Sequence, residues 1–228
     1  MTSDELDSYE HHAVYLIDHQ ALFGNHQLQR VITEIYSNTG MMPGIELRNA
    51  HTGQNACFIA LTLIDAEYTL NLTTAYDDTD FGFRLTHMDL GDGYHKLIDA
   101  INKIASGYEK LLTSIKMMQQ TRLDPQMFHA ICVNLEKILF RRPQEVRVHI
   151  QKEFYDLYPK FMVPSTLWQS VFTIQKKLKN GIPYTHIRSG RSMNKKIAKP
   201  DRNGLYMRRE NAIMAQVFEL CRDLLPEN

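Results

Sequence analysis

The sequence predicts an α+β fold, with a four-stranded antiparallel meander followed by a helical half of about five helices. Three observations carry this. Between Ile45 and Met88 the apolar residues fall into runs and alternations suited to strands, joined by turns too short for crossover helices. After Gly91-Asp92-Gly93 the apolar period becomes helical and stays so for most of the remaining chain. No internal repeat and no Pro- or Gly-rich linker divides the 228 residues. They therefore read as a single domain, strand-rich over about 1–93 and helical over about 94–228.

The elements follow in order. The first ten residues, polar and acidic, read as a frayed end. Leu28, Val31, Ile32, Ile35 and Tyr36 share a face of a helix over 26–37 that stops before Gly40, and Met41-Met42-Pro43-Gly44 reads as a turn. Ile45–Ala50 is a short strand, His51-Thr52-Gly53-Gln54-Asn55 a turn, and Ala56–Ile64 an almost wholly apolar central strand. Glu67–Tyr76 alternates, with Tyr68, Leu70, Leu72 and Thr74 on one side. Asp77-Asp78-Thr79-Asp80 then turns into Phe81–Met88.

The long helix that follows carries Leu97, Ile98, Ile101, Ile104, Tyr108, Leu111 and Ile115 in one stripe. Asp124-Pro125 supplies an N-cap and a first-turn proline for a helix to about Phe140. Pro143 opens another, with Val146, Ile150, Phe154 and Leu157 on one side. Pro164-Ser165 opens a fourth with Leu167, Trp168, Val171, Phe172 and Ile174, stopped by Asn180-Gly181. Residues 182–206 read as a polar, basic connection before a last helix from about Met207 to Leu225.

Composition narrows the class. A hydrophobic share of 43% is enough for a core and excludes a wholly disordered chain. No run approaches the roughly 20 apolar residues needed to span a bilayer. The acidic start Met1-Thr2-Ser3-Asp4-Glu5 is unlike a targeting peptide, and three widely spaced cysteines (Cys57, Cys132, Cys221) suit a reducing compartment. The expectation is a soluble cytoplasmic protein with no membrane partner. Homo-oligomerisation is left open.

Charge carries the functional signal. The chain has 26 Lys+Arg and 26 Asp+Glu, yet residues 1–100 hold 15 carboxylates against four cations. Within 176–209 there are eleven cations and one carboxylate, Asp201. Cations dispersed among Gly, Ser and Asn, with aromatics at the flanks, suit a loop that grips phosphates and stacks on unpaired bases. The candidate phosphate contacts are Lys176, Lys177, Lys179, Arg188, Arg191, Lys195, Lys196, Lys199, Arg202, Arg208 and Arg209, with Tyr184 and Tyr206 as stacking residues. The three lysines at the preceding helix end also suit that helix's negative terminus, which explains them without a ligand.

Other chemistries find less support. Asp77, Asp78 and Asp80 are separated from Asp89 and Asp92 by a strand of roughly 25 Å, too far for one cation site. His12 and His19 lack a second ligand cluster for zinc. Thr86-His87 and His186-Ile187-Arg188-Ser189 are only loosely similar to the paired motifs of two-histidine phosphoesterases. No nucleophile elbow, phosphate-binding loop or dinucleotide fingerprint is present. No catalytic residue, metal or cofactor is expected, and the balance favours binding over catalysis.

Gly44-Ile45-Glu46-Leu47-Arg48-Asn49-Ala50-His51-Thr52-Gly53-Gln54-Asn55-Ala56 resembles the polar turn between two strands in the phage/plasmid-like protein family of unknown function. Thr166-Leu167-Trp168-Gln169-Ser170-Val171 resembles that family's tryptophan helix, and both have a long helix followed by one led by Leu-Asp-Pro. The likeness spans about residues 40–185. Asp65-Ala66-Glu67 stands where the family has Cys-Asn-Gly. The resemblance implies a phage or mobile-element origin, with the host cytoplasm as location, and assigns no catalytic residue. A meander backed by a long helix is also similar in outline to phage single-strand annealing proteins.

The expected function is non-enzymatic nucleic-acid binding in DNA recombination or replication, with single-stranded DNA favoured over duplex. The alternative is a phage interaction protein whose acidic amino-terminal half inhibits a host defence or DNA-processing factor.

Overall fold

The computed structural model describes residues 10–16, 26–50, 57–65, 69–73, 79–85, 93–158, 165–188, 191–200, 207–208 and 210–226. The chain divides into two compact units, Met1–Ser114 and Ile115–Asn228. The charge divides with it: 6 Lys+Arg against 16 Asp+Glu in the first unit, 20 against 10 in the second. The class is α+β, with helices and two antiparallel sheets.

In the first unit β1 (Glu10–Leu16), α1 (His26–Thr39), β2 (Met42–Ala50), β3 (Cys57–Ile64), β4 (Thr69–Asn71) and β5 (Gly82–Leu85) precede α2 (Gly93–Gln120), whose last residues belong to the second unit. The five strands form one sheet in the order β1-β2-β3-β4, with β5 also on β3. The apolar run of β3 takes the central place expected of it. The sheet has one strand more than the expected meander, because β1 pairs with β2 from Glu10 opposite Ala50 to Leu16 opposite Gly44. The expected turn at Met41–Gly44 is largely strand, because β2 begins at Met42 opposite Ile64.

β4 and β5 are not neighbours. Asn71 lies opposite Thr62, and Gly82 lies opposite Ala60. Between them Leu61 donates its N–H to Phe81 O (2.8 Å). One edge position is thus filled by a single strand interrupted by residues 72–80. The two alternating runs were legible, but their shared partner was not, because pairing is chosen by β3 and not by the turn between them.

One face of this sheet bears Ile45, Leu47, Ile59 and Phe83, which pack with Ala100 and Ile104 of α2. Gly107 lets α2 approach closely: a Cβ there would stand 2.6 Å from Leu61 Cδ1 and 2.8 Å from Asp80 O. The next residue, fully buried Tyr108, donates its hydroxyl to Gly44 O, and Lys110 Nζ meets Asp80 Oδ1 at 2.7 Å. The opposite face carries a buried polar group. Asn71 Nδ2 donates to Glu46 Oε2 (2.9 Å) beside Thr62, and Thr62 Oγ1 and Asn71 Oδ1 have no hydrogen-bond partner among the described residues.

The second unit contains α3 (Pro125–Leu139), β6 (Val146–Arg147), α4 (Ile150–Glu153), α5 (Leu167–Asn180), β7 (Ile182–Arg188), β8 (Arg191–Ala198) and α6 (Glu210–Asp223). The expected Asp124 cap forms, and the structure adds a second at Thr166. Asp124 Oδ1 accepts from Gln126 N and Met127 N (2.8 Å each). Thr166 and Gln169 close a reciprocal capping box at the start of α5. α6 packs on α5 and α3 through Ile213, Met214, Val217, Phe218 and Cys221, all buried.

The helix expected after Pro143 is broken into a 3₁₀ turn (Pro143–Glu145), β6, the single turn α4 and a second 3₁₀ turn (Tyr155–Leu157). Its apolar stripe, Val146, Ile150, Phe154 and Leu157, is nevertheless buried. Pairing of Val146 and Arg147 with β7 overrides the helical period. Among the described residues no helix is long and apolar enough to cross a membrane.

Candidate nucleic-acid interface

The basic segment 182–206, read from sequence as an irregular connection, is largely a β-hairpin. β7 and β8 pair from Ile182 opposite Ala198 to Arg188 opposite Arg191, with an irregularity between Thr185 and Ile187, and β6 completes a three-stranded sheet. Gly181 makes the sharp exit from α5: its φ is +90°, and its N–H is donated to both Lys177 O and Leu178 O (3.0 Å each). A Cβ at this glycine would lie 2.5 Å from Ile197 Cγ2, so the hairpin closes directly over the helix end.

Cross-strand partners share a face. Ile182, Tyr184, Val146 and Ala198 are buried and form the inner face. The outer register runs Arg147, Thr185, Lys195 across the three strands, with Pro183 and Ile197 on the next rung. Arg147 is exposed, and Ile197 is 67% exposed.

This geometry sorts the expected contacts. Lys176, Lys196 and Lys199 are exposed and form no ion pair with a described residue. Lys179 is exposed, and Lys177 is half-buried. Arg188, Arg191 and Lys195 are placed by strand register alone, and Arg202, Tyr206 and Arg209 lie outside the described residues. Arg208 is half-buried. Its N–H is donated to Leu139 O (2.9 Å), and its Nε is enclosed with no hydrogen-bond partner among the described residues.

Tyr184 corrects the expectation. It is only 7% exposed, and its ring lies against Phe140 with centroids 5.8 Å apart. Alternation with Ile182 turns it into the core, so its face is not offered to a base. Sequence reasoning also missed cations outside the basic segment: Arg141, Arg147 and Lys152 are exposed and belong to the same unit. Their signal was spread over short elements rather than concentrated in one run.

The remaining candidates stay apart. Of the acidic turns, Asp80 is engaged by Lys110, and Asp77, Asp78, Asp89 and Asp92 lie outside the described residues. His186 Nε2 stands 3.9 Å from Glu145 Oε2, while His87 is not among the described residues. Among the described residues no three His, Cys, Asp or Glu converge on a metal-sized site.

Cys132 and Cys221 are buried, and burial pushes both thiols up to about 12. Burial also drives the Tyr108 hydroxyl far above its ordinary value. A raised pKa means the folded chain holds protons that the unfolded chain releases. These groups therefore leave stability intact at neutral pH and erode it as pH climbs from about 9 towards 12. The thermal midpoint is expected to fall steeply in that window, and to fall less in a Cys132→Ala/Cys221→Ala variant. Equal alkaline slopes for the two proteins would count against this. No family model, characterised protein or solved structure matches the chain, so the site is read from its own residues alone.

Proposed function

We propose that the second unit is a non-enzymatic nucleic-acid-binding module, acting on DNA in recombination or replication and favouring single strands over duplex. The observation that carries this is the exposure of Lys176, Lys196 and Lys199 around the helix–hairpin junction, with no ion pair to a described residue, in a unit holding twice as many cations as carboxylates. Exposed cations of this kind displace counterions from a phosphate backbone, a favourable term that weakens with added salt.

The test is fluorescence anisotropy with labelled oligo-dT across a salt series. Changing Lys176, Lys196 and Lys199 together to glutamate is expected to weaken binding at least tenfold. It should also flatten the log–log salt slope by roughly 2, since each phosphate contact on a single strand contributes about 0.7. Unchanged affinity and slope would overturn the proposal.

A second reading applies to the first unit, whose 6 cations stand against 16 carboxylates. Such an excess suits docking on a basic groove of a protein partner, as an inhibitor of a host DNA-processing factor would require. Capture of a DNA-binding protein from nuclease-treated host lysate, lost at high salt, supports this reading. Capture that disappears with nuclease treatment returns the weight to nucleic acid.

A further inference from the structure

Two cavities adjoin along α3, with volumes of about 550 and 380 Å³. Both fall within the roughly 300–1,000 Å³ typical of ligand sites. Val133, His149 and Lys152 line the larger, and His129 and Tyr158 the smaller. Tyr155 lines both and so stands at the partition between them. We propose that this groove receives the unpaired bases of a nucleic-acid single strand, with Tyr155 as the stacking platform and the phosphates lying on the neighbouring cations. The proposal rests on the nucleic-acid reading above and moves the stacking role away from buried Tyr184.

Tyr155 is 50% exposed, which leaves much of its side chain open to solvent. It is nonetheless well positioned. It opens a 3₁₀ turn closed by Tyr158 N–H to Tyr155 O (2.9 Å), and Tyr158 is braced edge-on against Phe128 with centroids 5.1 Å apart. An aromatic on a fixed turn pays little entropy to hold a base, and stacking of this kind accepts any base.

Charge argues for the same occupant. Lys152 on the groove wall is exposed, and so is Arg147, which sits on the outer rung of the small sheet. Arg147 is two residues from the lining residue His149, a path of roughly 7 Å in extended chain. Cations therefore continue from the sheet to the groove. The larger cavity is also lined by Glu136, a carboxylate that repels phosphate and accepts from base N–H donors, the N3–H of thymine or the exocyclic amines of the other bases. Phosphates outside and bases inside is the arrangement these charges favour. A duplex, whose bases are stacked and paired, offers only its phosphates.

The experiment compares oligo-dT with a duplex of equal length, using the full chain and its Tyr155→Ala and Tyr155→Phe variants. Alanine is expected to weaken oligo-dT binding roughly 5- to 100-fold with the salt slope unchanged. Phenylalanine should restore most of it, and duplex binding should not move. Circular dichroism melts confirm that each variant is folded. If Tyr155→Ala leaves oligo-dT affinity intact while the three-lysine reversal abolishes it, the stacking site is wrong and the phosphate-binding reading stands. If the unaltered chain binds neither probe at low salt, both fall together.

Discussion

Replacing Phe140 by alanine is expected to destabilise the second unit by about 3–5 kcal/mol, the usual loss when a buried aromatic is cut back to a methyl group. Phe140 is fully buried at the end of α3, where it bridges to Met207 and packs against Tyr184 of β7. It therefore ties three parts of the chain at the point where the hairpin meets the helices. Removing the ring leaves a cavity that Tyr184 cannot fill without leaving its strand position. Urea unfolding followed by far-UV circular dichroism would measure the loss. A change below about 1 kcal/mol would mean that the site collapses freely and that the hairpin is anchored elsewhere. Because Tyr184 sits on the strand that pairs with β8 and lies opposite Lys196, weaker oligonucleotide binding should accompany the loss even well below the melting transition.

Gly107→Val should cost about 3 kcal/mol or more, and Gly107→Ala is the sharper test because two effects oppose each other. Alanine gains about 1 kcal/mol over glycine in a helix interior. Overpacking a filled core costs about 1–3 kcal/mol. Here the added carbon would meet Leu61 Cδ1 at 2.6 Å and Asp80 O at 2.8 Å. The leucine methyl can rotate away. The carbonyl cannot, because the main chain on either side is held by Thr79 N–H to Gly82 O (2.7 Å) and Leu61 N–H to Phe81 O. Overpacking is therefore expected to win, with Gly107→Ala lowering stability by about 1–2 kcal/mol. Valine adds a branch and should approach the upper figure. A thermal midpoint that rises in the alanine variant would show that α2 does not approach the sheet this closely.

The long helices were readable because several independent signals agreed in each. For α3 these were Asp124, Pro125 and a clean apolar stripe, and for α5 the stripe from Leu167 to Ile174 and the Asn180-Gly181 stop. Strand identity was readable where the apolar run was long, as in β3, and lost where it was diluted. In Glu10–Leu16 two histidines and a glutamate mask the alternation. In Ile182–Ala198 the cations drew the eye away from Ile182 and Tyr184, which alternate with Pro183 and Thr185 as a strand requires.

The candidate site was legible to the same degree. The lysines flanking the hairpin were found by charge density alone. The groove at Tyr155 was hidden because its walls come from α3 and from a segment whose apolar period looked helical. Pairing of Val146 with β7 breaks that segment, and Tyr155 lines the cavity from the 3₁₀ turn that follows.

The interruption between β4 and β5 has one more consequence. An outermost strand normally exposes a row of unpaired amides and carbonyls, an invitation to fibril growth or to accretion of a foreign chain. On this margin an incoming segment would find a strand of three residues and another of four, ten residues apart in sequence, never one continuous strand. The outer margin of β8 is guarded by other means, since its Arg-Ser-Met-Asn-Lys-Lys-Ile-Ala run carries charges that a pairing neighbour would have to desolvate. The same cations proposed to meet phosphate would thereby help keep the molecule from polymerising through that flank.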